Sequence, residues 1–202
     1  MALDIDPANP ASEAQELARA RGAAKLGIWA FLATEILLFG GLFTLYTVFR
    51  IKYPELFHAE HLKLNRVMGL TNTVVLISSS LTVATGIAAI RRGRNALMKA
   101  CYAATILLAG VFLVIKYFEW TEDFAQGLLP STNIFFSLYF SMTGLHGLHV
   151  IGGICALSVV LFWAERGDFA RGYHTPVEIV GIYWHFVDLI WIYLFPLLYL
   201  AG

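Results

Sequence analysis

Charge is scarce in this chain. Lys, Arg, Asp and Glu make up 14% of its 202 residues, and 58% of the residues are hydrophobic. An average soluble domain carries roughly 25% charged residues, so an ordinary soluble fold is excluded and an integral membrane protein is implied. Cysteine is nearly absent. Cys101 and Cys155 are the two present, both in apolar segments. That excludes a disulfide framework, and their spacing matches no metal-binding motif. The formal net charge is zero, which leaves no electrostatic footprint for nucleic acid. No cleavable leader is expected, because the first two dozen residues are polar and mixed in charge. Internal repeats, including inverted repeats of the transporter kind, are also lacking.

What is present is a set of long apolar runs. Five reach spanning length, about 20 residues at 1.5 Å rise: Leu26–Phe49, Val67–Ile90, Leu97–Trp120, Asn133–Trp163 and Val177–Leu200. The fold class is therefore all-α, an integral membrane bundle of five transmembrane helices. Residues 1–24 read as a polar N-terminal segment and 25–202 as the membrane domain. Ser12 to Gln15 reads as a capping box, opening a short surface helix through Arg19 and Arg21. Pro54, Pro130 and Pro176 fall in connections, and Pro196 should kink the last span or mark its end.

Lys and Arg set the orientation. One side holds Arg19, Arg21, Lys25, Arg91, Arg92, Arg94, Lys99, Arg166 and Arg171, and the other holds Arg50, Lys52, Lys63 and Arg66. The richer side is cytoplasmic, which puts the N-terminus inside and the C-terminus outside. Arg166 and Arg171 are candidate contacts for anionic lipid, against the plainer reading as solvated positive-inside charges.

Several polar groups lie within the spans. Glu35 is about 15 Å into the first, near the bilayer midplane. His146 and His149 share one helix face in the fourth, and His185 and Asp188 have the same spacing in the fifth. Glu178 lies two turns before His185. Counted inward from each end, Glu35, His149 and Asp188 come out near one depth, which predicts a shared polar layer inside the bundle. A carboxyl at that depth is either neutral or paired. Two imidazoles from one helix fall short of a zinc site's three or four ligands, so the His pair reads first as glue between helices. Haem held between His146 or His149 and His185 would need facing helices and a flat cavity. Lys116 and Glu119 read as a snorkelling ion pair near the outer interface. Gly40, Gly41, Gly144, Gly147, Gly152 and Gly153 predict close helix contacts. Trp184 and Trp191, two turns apart, predict packing against protein and hint at a partner surface.

The run TGLHGLHVIGG, Thr143–Gly153, precedes EIVGIYWHFVDLIW, which begins at Glu178. Together they resemble subunit III of the haem-copper respiratory oxidases. TEILLFGGLF around Glu35, LTNTVVLISSS in the second span and GVFLVIKYFEW in the third are similar to the same family. The resemblance covers about Leu26 to Gly202. It implies a non-catalytic subunit, with no catalytic residue and no cofactor of its own. Haem and copper would sit on partner subunits. Subunit I would be the main contact, with subunit II and other respiratory-complex subunits nearby. The subunit would sustain proton uptake during oxygen reduction, hold phospholipid in a V-shaped cleft, and sit in the bacterial cytoplasmic membrane. Glu35 matches the family's buried carboxylate, which reacts with a hydrophobic carbodiimide. Longer members have seven spans, and this chain begins at what corresponds to the third. The motifs do not separate a cytochrome c oxidase from a quinol oxidase or an accessory protein of nitric oxide reductase. From another class, the buried carboxylate and histidines fit a free-standing proton-conducting membrane protein.

Overall fold

A computed structural model describes residues 10–166 and 174–201, apart from the side chains of 10–14 and 17. The described residues form six α-helices: α1 Pro10–Lys52, α2 Pro54–His61, α3 Arg66–Arg91, α4 Asn95–Ala125, α5 Ile134–Glu165 and α6 Thr175–Phe195. All but the short α2 are long and apolar enough to cross a membrane, which bears out the five expected spans.

The ends of the helices follow local chemistry. Asn65 and Asn133 cap α3 and α5, their side-chain oxygens accepting from the amides of Met68 at 3.2 Å and Phe136 at 3.0 Å. Gly93 and Gly127, with φ of 70° and 75°, end α3 and α4. At each the chain turns left-handed and the orphan carbonyls are satisfied. Arg94 N donates to Ala89 O and Leu128 N to Asp123 O, both at 2.9 Å. Pro54 and Pro176 stand in the first turns of α2 and α6, where no helical N–H is missed.

Two expectations about the ends of the chain change. The surface helix through Arg19 and Arg21 is not a separate element, because α1 runs unbroken from Pro10 to Lys52. No Pro or Gly pair interrupts it at the expected boundary, and 43 residues make it about 65 Å long. The helix also starts ahead of Ser12, the expected cap. Pro196 marks the end of the regular α-helix, as expected, but the span does not stop there. The chain continues through Pro196–Leu200 as one π-helical turn, and Ala201 N donates to Pro196 O at 2.9 Å. The wider turn accommodates a ring that lacks an N–H and crowds the preceding turn.

α6 is the centre of the bundle. Half of its most apolar window is buried, against 11% for that of α1. α3 pairs along its length with α4 and also packs on α6, α5 lies against α6 and α4, and α1 rests on the outside of α5 and α6. Small residues permit these approaches. A methyl group at Gly153 would stand 2.6 Å from the Trp184 ring, and one at Gly86 2.9 Å from the Tyr102 ring. Gly181 is pressed as closely against Ile87. Gly144 and Gly152 make ordinary contacts at 3.4 Å, whereas Gly40, Gly41 and Gly147 have nothing within 4 Å among the described residues. The close contact expected at those three is not made among the described residues. Trp184 and Trp191 are fully buried. They pack within this chain, so they form no partner surface.

Candidate functional site

Many of the buried polar groups gather into three clusters. The first joins α1 to α5. Glu35 Oε2 lies 2.9 Å from His149 Nε2, and both side chains are largely buried. The other ring nitrogen, Nδ1, lies 2.8 Å from the Leu145 carbonyl oxygen. A carbonyl can only accept, so Nδ1 carries a proton. One further proton then lies between Nε2 and Oε2. It makes either a neutral imidazole facing a carboxylic acid or an imidazolium facing a carboxylate. Tyr183 of α6 donates to the His149 carbonyl at 2.9 Å, and Phe39 presents an edge contact to the ring at 5.2 Å.

The second cluster joins α3 to α6. Ser80 Oγ and His185 Nδ1 are 2.6 Å apart, Trp184 Nε1 donates to Ser79 Oγ at 3.0 Å, and Trp191 Nε1 donates to Thr73 Oγ1 at 3.0 Å. The polar second span thus supplies hydroxyls to the aromatic face of the last. Asp188 lies on that same face and is 3% exposed.

The third cluster surrounds Lys116. Its side chain is 7% exposed and that of Glu119 is fully buried, so this pair does not snorkel. Nζ donates to Glu119 Oε2 at 3.1 Å, Tyr139 OH at 3.1 Å and Tyr199 OH at 2.6 Å. Both phenols donate to Glu119 Oε1. All three ammonium hydrogens are therefore placed, and the Tyr139, Trp191 and Tyr199 rings stand about 5 Å from the charge. Asp123, 3% exposed, lies at the edge of the cluster. The ion pair turns inward because α5 and the π-helical turn bring two phenols over it. Sequence reasoning found Lys116 and Glu119 but missed Tyr139, Tyr199 and Asp123. Phenols within apolar spans were the available signal.

The single layer expected from depth is therefore divided. Glu35 and His149 meet, His185 turns instead to Ser80, and Asp188 faces α3. His146 is fully buried beside Trp191, with ring centroids 5.2 Å apart. Glu178 lies outside the layer, in the first turn of α6. There it pairs with Arg91, the last residue of α3, at 2.9 Å. Arg166 caps α5 with its guanidinium over the Phe162 ring at 4.1 Å, and Arg171 lies outside the described residues. Among the described residues, no three His, Cys, Asp or Glu side chains gather as a metal site would require.

Fold and clusters together define a multi-pass helical membrane protein whose buried polar groups tie neighbouring spans to one another. Residues 12–202 match the model of the cytochrome c oxidase subunit III family, and the chain belongs to that family. It is 39% identical to cytochrome c oxidase subunit 3 of Thermostichus vulcanus, over 87% of this chain and 86% of that one. It is 38% identical to the subunit 3 of Synechocystis, over 86% of this chain and 74% of that one. A haem-copper oxidase subunit I+III of Aeropyrum pernix is 32% identical over 86% of this chain, which spans 22% of that longer protein.

Proposed function

We propose that the chain is a non-catalytic subunit III of a bacterial haem-copper terminal oxidase of the cytochrome c type. It sits on subunit I in the cytoplasmic membrane and supports that subunit's stability and sustained proton uptake during oxygen reduction. The observation that carries the reading is the Aeropyrum relative, whose name joins subunits I and III in one polypeptide. Segments that share a chain in one organism make natural partners as separate chains in another. The exposed length of α1 fits this role. Leu26, Ile36, Leu37 and Ile51 are each more than half exposed, an apolar face open to lipid or a neighbouring subunit.

In this reading Glu35, His146, His149, His185 and Asp188 hold spans in register and carry no reaction step, while Glu178 fastens one end of the bundle. Haem and copper belong to the partners. Arg166 and Arg171 sit on the cytoplasmic side with the N-terminus, where they contact anionic phospholipid.

The test is a pull-down on the tagged chain in a mild detergent, followed by a visible spectrum and identification of the co-purifying chains. A haem-bearing subunit I is the expected partner. Recovery of this polypeptide alone, in good yield and without haem, overturns the proposal. Proton conduction by that lone chain in liposomes would favour a free-standing conductor.

A further inference from the structure

Three buried side chains keep their polar ends unpaired. Neither the amide oxygen nor the amide nitrogen of Asn72 has a hydrogen-bond partner among the described residues. The same holds for both ring nitrogens of His146 and both carboxyl oxygens of Asp188. Asn72 and His146 are fully buried and Asp188 is 3% exposed.

These side chains lie on three helices, α3, α5 and α6, near the turn of α6 that carries Asp188 and Trp191. Asn72 lies on the buried stripe of α3 that runs through Gly69, Leu76 and Ser79. Gly69 meets Phe195 and Tyr199, and Ser79 bonds Trp184, so Asn72 lies between those levels of α6 along the helix axis. Its neighbour Thr73 accepts from Trp191 Nε1, which puts Asn72 level with Trp191. Asp188 is one turn before Trp191 on the α6 stripe through Gly181 and Trp184. Ser80 stands near enough to the Asp188 carboxyl to interact with it, while its short contact, at 2.6 Å, is with His185 Nδ1. His146 approaches from α5, its ring 5.2 Å from that of Trp191, and Phe112 of α4 packs edge-on against both rings.

We propose that Asn72, His146 and Asp188 form an internal water site, in which ordered water bridges the three side chains beside Trp191. Buried polar groups in folded proteins are satisfied by protein or by water, and a buried water needs two to four polar partners. The three side chains offer that number, with donors on Asn72 and His146 and acceptors on all three. The aromatic wall of Phe112 and Trp191 closes the site from the apolar side. The site is distinct from the Glu35–His149 pair, whose three polar contacts are made without it, and it lies within a single chain. It therefore does not depend on which subunit the chain accompanies.

The test is a cryo-electron microscopy map of the complex that the chain forms in detergent, at a resolution that reveals buried waters elsewhere in the same particle. The expected result is at least one water within about 3.2 Å of polar atoms from two of the three side chains. In the Asn72→Leu variant that density should be lost or should move towards His146 and Asp188. The proposal is overturned if the map shows the three side chains bonded directly to protein atoms with no water among them. It is equally overturned if density there is unmoved by Asn72→Leu.

Discussion

Glu35 Oε2 stands 2.9 Å from His149 Nε2, while the other nitrogen of that ring lies 2.8 Å from the Leu145 carbonyl oxygen. The backbone contact orients the imidazole, and the oriented imidazole shares one proton with the carboxyl group. α1 touches little of the bundle, so this pair is a principal polar tie between it and the rest.

A carbodiimide attacks the acid form of a carboxyl in apolar surroundings. His149→Phe removes the partner and leaves Glu35 with no base to take its proton. Modification of Glu35 by a hydrophobic carbodiimide should then be faster than in the unaltered protein, as read by mass spectrometry of the labelled peptide. A slower reaction would mean that the histidine delivers the proton.

Glu35→Ala should abolish that labelling and leave most of the turnover of the assembled complex. Loss of turnover in a fully assembled complex would put Glu35 on a proton route, against the scaffold reading.

Lys116→Met strips the charge from a pair whose partner carboxylate is fully buried. Breaking a buried pair on one side costs about 3–5 kcal/mol. The single substitution should destabilise the chain by about that much in bicelles. Adding Glu119→Leu should recover a good part of the loss, because the fully buried Glu119 carboxylate is then no longer left without its partner. A double variant no better than Lys116→Met would show that the phenols, not the charges, supply the stability.

Glu178→Gln should change stability by less than about 1 kcal/mol, and less still at high salt, because its partner Arg91 is largely exposed. A larger, salt-insensitive loss would place Glu178 in the buried layer after all.

Gly153→Ala sets a methyl group 2.6 Å from the Trp184 ring. It should cost about 1–3 kcal/mol, the range for overpacked cores. Gly41→Ala meets nothing within 4 Å and should stay within about 0.5 kcal/mol. Thermal unfolding of the two variants side by side tests which glycines carry the packing.

Spans and site were legible to different degrees. Each of the five expected apolar runs falls on one helical span to within a residue at its ends, because a backbone in lipid must satisfy its hydrogen bonds internally and helices do so segment by segment. The continuous α1 was hidden because a charged, alanine-rich stretch such as Gln15–Lys25 helps a helix continue as readily as it marks a boundary. Depth put Glu35 and His149 at one level, and they do meet. Depth put Asp188 there too, yet it faces another helix.

The sequence by itself determined how many helices could span, where polar groups lay along each, and which of them shared a face. Those follow from the rise and turn of one helix and need no neighbour. Only the tertiary structure decided which groups touch. It turned Lys116 away from the interface into a ring of phenols, drew His185 to Ser80 and not to Glu35, and moved Glu178 to an ion pair at the bundle's end. The rotation of each helix against its neighbours is set by the packing of many side chains at once, at places such as Gly153 against Trp184 and Gly181 against Ile87, and no single segment carries that information.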